Sequence, residues 1–291
     1  SMLKNIAKHH LKRIESYALR SNVAQNMFAL FYQSKIYSFI KDTINRFQNI
    51  KLLDQIKKDP IPDHVAIIMD GNRRFAQTAG LNPSTGHQFG TDKVKDTIDW
   101  CLELGIKNLT LYAFSTENFN RDQTEVKDLM DLCHKELLKA KKDSRIHKNK
   151  VRVSVIGQID SLPDYIQDEA ISLMDQTKEY DQYTLSIAIA YGGREEIVNA
   201  VKQIAKDVQD GDLNPLDINE EKVASYLYTK DLPDPDLLLR TSGEERISNF
   251  LLWQMAYSEL YFTDVYWPAF QKRDFLRAIH SYQQRKRRFG T

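Results

Sequence analysis

Three stretches carry side chains whose types and spacing suit phosphate chemistry. In VAIIMDGNRRFA, residues 65–76, an apolar run ends in Asp70, followed by Gly71, Asn72, Arg73 and Arg74. A turn built this way offers Asp70 as a ligand for Mg²⁺, while Gly71 lets the backbone approach a phosphate. Arg73 or Arg74 would neutralise its charge. The plainer alternative is a solvated turn, since Asp-Gly-Asn is common turn chemistry. In LYAFSTENFNR, residues 111–121, Ser115, Asn118 and Arg121 place a hydroxyl, an amide and a guanidinium close together, beside the apolar rings of Phe114 and Phe119. That set suits an oxyanion, although Asn118, Asn120 or Thr124 would also serve as a helix cap.

LLLRTSGEERISNFLLWQ, residues 237–254, is the most informative of the three. Arg240 ends an apolar run, Thr241, Ser242 and Gly243 follow, and Arg246 and Ser248 come next. Two arginines around a Ser-Gly turn make a diphosphate cradle of bidentate guanidinium contacts and short hydroxyls. Surface ion pairing with Glu244 and Glu245 is the competing reading. Arg240 favours the cradle, because an arginine directly after a buried strand is costly without an anionic partner.

Positioning these groups requires a sheet. Val65–Met69, Leu109–Ser115, Val151–Gly157, Thr184–Ala190, Asp236–Arg240 and Leu260–Thr263 read as strands. Helical patterns cover 92–104, 124–142, 163–179, 194–209 and 271–288. Nearly all-apolar strands alternating with helices imply an α/β domain: a central, mainly parallel six-stranded sheet flanked by helices. In such a sheet ligands bind beyond the carboxyl ends of the strands, which is where Asp70, Ser115 and Arg240 fall.

The two prolines of KKDPIPDH, residues 57–64, divide a catalytic-type domain, 59–291, from an N-terminal arm, 1–58. The arm carries 11 Lys/Arg and 3 Asp/Glu, whereas the body carries 30 and 37. Phe28, Tyr32, Ile36, Phe39, Ile40, Ile44 and Phe47 recur along it at helical spacing. Such a helix docks on protein or lies on an anionic membrane face. Nucleic acid is not expected, because the body has no recognisable binding motif for it. Two cysteines in no metal-binding pattern imply a reducing setting. With no secretory signal and no apolar run long enough to span a bilayer, a cytoplasmic protein, peripheral at a membrane face, is expected. GxxxxGK[ST] and a strand-linked GxGxxG are absent, which argues against a nucleotide cofactor. An aspartate-rich DDxxD ladder is absent too. From the residues alone the chain reads as a phosphate-handling, Mg²⁺-dependent α/β enzyme.

HVAIIMDGNRRFA, GHQFGTDKV, LTLYAFSTENFNR, IAYGGREEIVNA, LLLRTSGEERISNFLLWQ and SELYFTDVYWP, taken in order, closely resemble the motifs of the cis-prenyltransferases, the family of undecaprenyl and dehydrodolichyl diphosphate synthases. The resemblance runs from about Pro62 to Gly290, and the NRRF form resembles the eukaryotic and archaeal branches. It implies condensation of isopentenyl diphosphate with an allylic diphosphate to form a Z double bond, with a hydrophobic tunnel for the growing chain. It implies Asp70 as the catalytic carboxylate that places Mg²⁺ on a diphosphate. Gly71, Arg73, Arg74 and Phe75 would line the allylic diphosphate site, with Asn72 near the reacting centre. His87, Ser115, Asn118 and Arg121 match further active-site positions. Arg240, Arg246 and Ser248 would hold the homoallylic diphosphate, and Glu259 would complete the metal shell. Arg288 and Gly290 fall on an RxG motif that in the family reaches a neighbouring subunit's site, so a homodimer is implied. Two positions depart from the pattern: Pro83 replaces a basic residue, and Glu245 replaces a histidine that helps bind metal in some relatives. They keep a second reading in view, prenyl transfer to an alcohol or an unusual isoprenoid acceptor. A third reading, a non-catalytic partner subunit, is opposed by the retention of Asp70, Arg240 and Arg246.

Overall fold

A computed structural model of the chain describes residues 35–286, so Phe28, Tyr32, Arg288 and Gly290 lie outside the described residues. The chain separates into two units, 1–55 and 56–291. In the first, the described part is a single helix, α1 (Lys35–Ile56), whose final residue belongs to the second unit.

Six strands, β1 (His64–Ile68), β2 (Asn108–Ser115), β3 (Val151–Ile156), β4 (Tyr183–Tyr191), β5 (Leu237–Arg240) and β6 (Glu259–Phe262), form one sheet in the order β3-β4-β2-β1-β5-β6. Every neighbouring pair is parallel. All five residues of β1 and all four of β5 are buried, as strands covered on both faces must be. Around the sheet run α2 (Asn72–Thr78), α3 (Pro83–Leu104), α4 (Gln123–Ala140), α5 (Ser144–Lys148), α6 (Asp164–Thr177), α7 (Gly193–Asp210), α8 (Glu220–Ala224) and α9 (Lys272–Lys286).

Strand ends fall within about a residue of the sequence expectations, but the helices after β1 do not. DGNRR reads as a turn; in the structure the turn is only Asp70–Gly71, and Asn72 already opens α2. Helix α3 begins nine residues before the expected 92, because Asn82 caps it through Thr85 N and Pro83 sits in its first turn, where a missing N–H costs nothing. The departure at Pro83 thus has a local role as a helix starter.

Register sets the site. Ile68 of β1 lies opposite both Tyr112 of β2 and Arg240 of β5. From β1 the chain moves one way to β2 and later the other way to β5. The crevice between these diverging connections opens at the carboxyl end of β1, directly above Asp70.

Candidate active site

Gly71 turns the chain from β1 into α2 with φ of 103°, and a Cβ there would lie 2.8 Å from Tyr266 Cδ1 and 3.0 Å from Ser242 Cβ. Conformation and crowding both demand glycine. The Thr241 hydroxyl clasps the backbone of the preceding residue: Asp70 N donates to Thr241 Oγ1 at 3.0 Å, and that hydroxyl donates to Asp70 O at 2.6 Å. The carboxylate is thereby aimed at two guanidiniums, accepting at Oδ2 from Arg240 Nη2 at 2.9 Å and Arg74 Nη2 at 3.3 Å. Burial alone would raise the Asp70 pKa. Hydrogen bonds from Arg240 and Ser242 and the charges of Arg240 and Arg74 outweigh it and hold the group below its ordinary value. Asp70 is ionised at neutral pH.

The side chain of Arg240 is only 5% exposed. Besides Asp70 it reaches the loop 246–251, where Nη1 donates to Arg246 O at 2.5 Å and Ser248 Oγ at 2.6 Å. Its Nε is buried without a hydrogen-bond partner. In this loop Ser248, Asn249 and Leu251 all have positive φ (48°, 62° and 43°). Each left-handed non-glycine residue costs about 1–2 kcal/mol, so external contacts must hold the loop in shape. Surface ion pairing is realised for Arg246, which is exposed and pairs with Glu244; Arg74 Nη1 also reaches Glu244 Oε1 at 2.9 Å. Glu245 is exposed.

Opposite Asp70, Asn72 lies across helix α3 at Gly86 and Gly90. A Cβ on Gly86 would come within 2.2 Å of Asn72 O, and one on Gly90 within 2.6 Å of Asn72 Oδ1. The GHQFG segment therefore supplies a smooth surface for Asn72, whose Oδ1 is buried and unpartnered. His87 Nε2 lies 3.5 Å from Glu125 Oε1, an ion-pair distance without hydrogen-bond geometry, and it too is buried with no hydrogen bond. Burial lowers the His87 pKa against the pull of Glu125, which leaves a neutral imidazole. Three buried polar atoms without partners, Asn72 Oδ1, His87 Nε2 and Arg240 Nε, imply that a polar ligand completes the site.

Glu125 was not singled out in the sequence. It takes Arg121 Nη1 at 2.9 Å and faces Arg73 Nη1 at 3.5 Å as well as His87. Arg121 precedes α4 with extended backbone, so no helical spacing in the sequence pairs the two. Ser115 and Asn118 form a capping box at the short 3₁₀ turn Thr116–Asn120, with Asn118 Oδ1 accepting from Ser115 N at 2.9 Å, whereas the helix that follows is capped by Asp122 and not by Asn118, Asn120 or Thr124.

Two cavities meet here. Asp70, Arg73, Arg74, His87 and Arg121 line a polar recess of about 300 Å³, room for roughly ten waters. Met69, Asn72 and His87 line both this recess and an apolar cavity running inward between α3, α4 and the sheet. Val94, Ile98, Leu111, Phe114, Leu137 and Ile189 are among its walls. A charged head and a long hydrocarbon tail match this pair of cavities.

Two expected residues are placed elsewhere. Phe75 packs edge-on against Phe89, with ring centroids 6.0 Å apart, and lines neither cavity. Glu259 opens β6 opposite Leu237, at the amino end of the sheet, whereas Asp70 follows the carboxyl end of β1. At about 3.3 Å per residue, the two are roughly 15 Å apart along the strands alone. Glu259 Oε2 instead accepts from Arg285 Nη1 at 3.1 Å. Within one chain Glu259 therefore does not join Asp70 in a metal shell. No group of three metal-ligating side chains occurs among the described residues. One ionised carboxylate in a polar recess still fits Mg²⁺, which usually takes one or two protein carboxylates and completes its shell with phosphate oxygens and water.

Residues 68–290 match the family model described as putative undecaprenyl diphosphate synthase. The chain belongs to this family, the cis-prenyltransferases. A relative from Thermoplasma volcanium, named tritrans,polycis-undecaprenyl-diphosphate synthase (geranylgeranyl-diphosphate specific), is 54% identical over 82% of this chain and 93% of its own length. A relative of the same name from Methanocaldococcus jannaschii is 51% identical over 82% of this chain and 87% of its own. Among solved structures, lavandulyl diphosphate synthase from Lavandula x intermedia, in complex with dimethylallyl diphosphate, superposes with a TM-score of 0.74. It is 40% identical, over 77% of this chain and 95% of that one. As a cis-prenyltransferase, the protein condenses isopentenyl diphosphate with an allylic diphosphate to give a polyprenyl diphosphate.

Proposed function

We propose that this cis-prenyltransferase uses geranylgeranyl diphosphate as its allylic primer and extends it to an undecaprenyl-length product with Mg²⁺ bound at Asp70. The observation that carries the chemistry is the placement of the Asp70 carboxylate between Arg240 and Arg74, where the polar recess joins the apolar cavity. Support for the primer comes from eight relatives, 50–54% identical, whose names all specify geranylgeranyl diphosphate.

Each residue's task follows from its chemistry. Arg73, Arg74 and Arg121 neutralise the allylic diphosphate, and His87 Nε2 can donate to it at the cavity mouth, while Asn72 Oδ1, which only accepts, is left for a donor such as bound water. Arg240, Arg246 and Ser248 hold the diphosphate of isopentenyl diphosphate, with Arg246 exchanging Glu244 for it. Cleavage of the allylic carbon–oxygen bond builds negative charge on the departing diphosphate, and fixed cations already in place stabilise that charge most. The acceptor alkene attacks the allylic carbon, and loss of a proton leaves the new double bond. Mg²⁺ at Asp70 would add Lewis-acid stabilisation of the leaving diphosphate.

The test supplies purified protein with isopentenyl diphosphate and, separately, dimethylallyl, farnesyl or geranylgeranyl diphosphate, then chromatographs the dephosphorylated products. Efficient chain growth from the geranylgeranyl primer alone is the expected result. Preference for a shorter primer overturns the primer assignment, product without isopentenyl incorporation favours an unusual acceptor, and no product with any primer favours a partner subunit. A second copy of the chain and an anionic membrane face belong to the same reading, the latter supported by the basic arm. Removing residues 2–55, which stops short of the buried Ile56, should weaken binding to anionic liposomes. Unchanged binding rejects the membrane contact.

A further inference from the structure

Tyr112 sits in the middle of an apolar strand, 8% exposed, and reads in sequence as a core aromatic. Its ring stacks on Phe250 with centroids 4.4 Å apart and meets Tyr191 edge-on at 5.9 Å. The hydroxyl does something a core aromatic need not do. It donates, in bifurcated fashion, to Tyr191 O at 3.1 Å and Ser248 O at 3.3 Å. Ser248 begins the left-handed stretch of the acceptor loop, and its side-chain hydroxyl is the one Arg240 grips. The neighbouring residue is held from a third side: Asn249 O accepts from Gly193 N at 2.7 Å, and Asn249 Oδ1 accepts from Arg194 N at 2.9 Å. Four elements thus hold this loop, the fourth being the 3₁₀ turn, whose Glu117 Oε1 accepts from Asn249 Nδ2 at 3.1 Å. Tyr112 of β2 takes a carbonyl, Arg240 of β5 takes a hydroxyl, and the first amides of α7 take Asn249.

We propose that Tyr112 is a positioning residue for the acceptor side of the site. Its hydroxyl fixes the Ser248 carbonyl, and so the orientation in which Ser248 and Arg246 meet the diphosphate of isopentenyl diphosphate. The assignment rests on the function proposed above. Burial raises the phenol's pKa, so the group remains a proton donor across the working pH range. Its ring packs with Phe250 and Tyr191 on the sheet face that carries the loop. Tyr112→Phe keeps that ring and removes only the tether, which separates the acceptor side from the allylic side.

Steady-state kinetics of full-length Tyr112→Phe, varying each diphosphate in turn, read the effect. One lost hydrogen bond to a part-buried carbonyl corresponds to roughly a three- to tenfold rise in the KM for isopentenyl diphosphate. The KM for the allylic diphosphate should stay within twofold. Tyr226→Phe serves as the comparison, because the Tyr226 hydroxyl donates to Asp207 Oδ2, away from the loop. It should lower thermal stability and leave both KM values unchanged. An unchanged KM for isopentenyl diphosphate in Tyr112→Phe, or an equal rise for both substrates, overturns the assignment. So does the same isopentenyl diphosphate defect in Tyr226→Phe. A wild-type protein that never saturates with isopentenyl diphosphate overturns the reading of the site itself, and the role of Tyr112 with it.

Discussion

Arg240→Lys is the most informative single change, because the structure says what an ammonium cannot do there. Two guanidinium nitrogens span three acceptors: Asp70 Oδ2 at 2.9 Å, Ser248 Oγ at 2.6 Å and Arg246 O at 2.5 Å. A lysine retains the charge but offers one nitrogen on a flexible stem, which reaches either Asp70 or the loop. Two charge-assisted hydrogen bonds are lost, at about 1.5–3 kcal/mol each, so about 3 kcal/mol is the conservative figure. Expressed as stability, at about 2–4 °C per kcal/mol for a unit of this size, the loss lowers Tm by about 6–12 °C. Expressed at the transition state, it lowers kcat/KM by more than about 100-fold. The assays are a thermal melt and initial rates with isopentenyl diphosphate and an allylic primer at a temperature where the variant is folded. A folded Arg240→Lys protein with kcat/KM within threefold of wild type refutes the bridging role. That result would make Arg240 a stability residue that happens to lie near Asp70.

Asp70→Ala should reduce turnover by orders of magnitude while the protein remains folded; near-normal turnover removes the role of Asp70. Gly90→Ala would place a methyl 2.6 Å from Asn72 Oδ1 and displace that amide. A fall in kcat of roughly 10- to 100-fold is expected from the misplacement, and a wild-type kcat contradicts the surface assigned to GHQFG. His64 is buried and neutral, with Nδ1 donating to Pro233 O at 2.6 Å and Nε2 accepting from Thr110 Oγ1 at 2.7 Å. Burial lowers its pKa, so its contribution is full above about pH 6.5 and is lost as acid protonates the unfolded chain. Urea titrations should show stability falling between pH 7 and 5.5 by up to about 1.4 kcal/mol per pH unit from this group. His64→Gln should flatten the slope, and an unaltered slope rejects the explanation.

The sheet was legible because strands buried on both faces must be apolar along their whole length, and turn residues bracket each run. Asp70 and Arg240 stood out because charge at the end of such a run needs a partner. The opening of α3 was hidden, since Pro83, Gly86 and Gly90 look like breakers. Here the proline starts the helix and the glycines admit Asn72. Tyr112 and Glu125 escaped notice for another reason. A hydroxyl that clasps a carbonyl two strands away, or a glutamate that gathers two arginines and a histidine from separate elements, leaves no local mark on composition or period. Glu259 went the other way: its motif resembles the family's, but parallel register carries it to the far rim of the sheet.

The central claim is that the guanidiniums around Asp70 receive two diphosphates and a divalent cation at one rim of the sheet. A crystal structure of the protein with Mg²⁺, isopentenyl diphosphate and an unreactive thiolo analogue of the allylic diphosphate tests it most directly. The account predicts the allylic head against Arg73 and Arg74, the acceptor head against Arg240, Arg246 and Ser248, and the metal on Asp70. Diphosphates bound elsewhere, with Asp70 still paired only to Arg240 and Arg74, would contradict it.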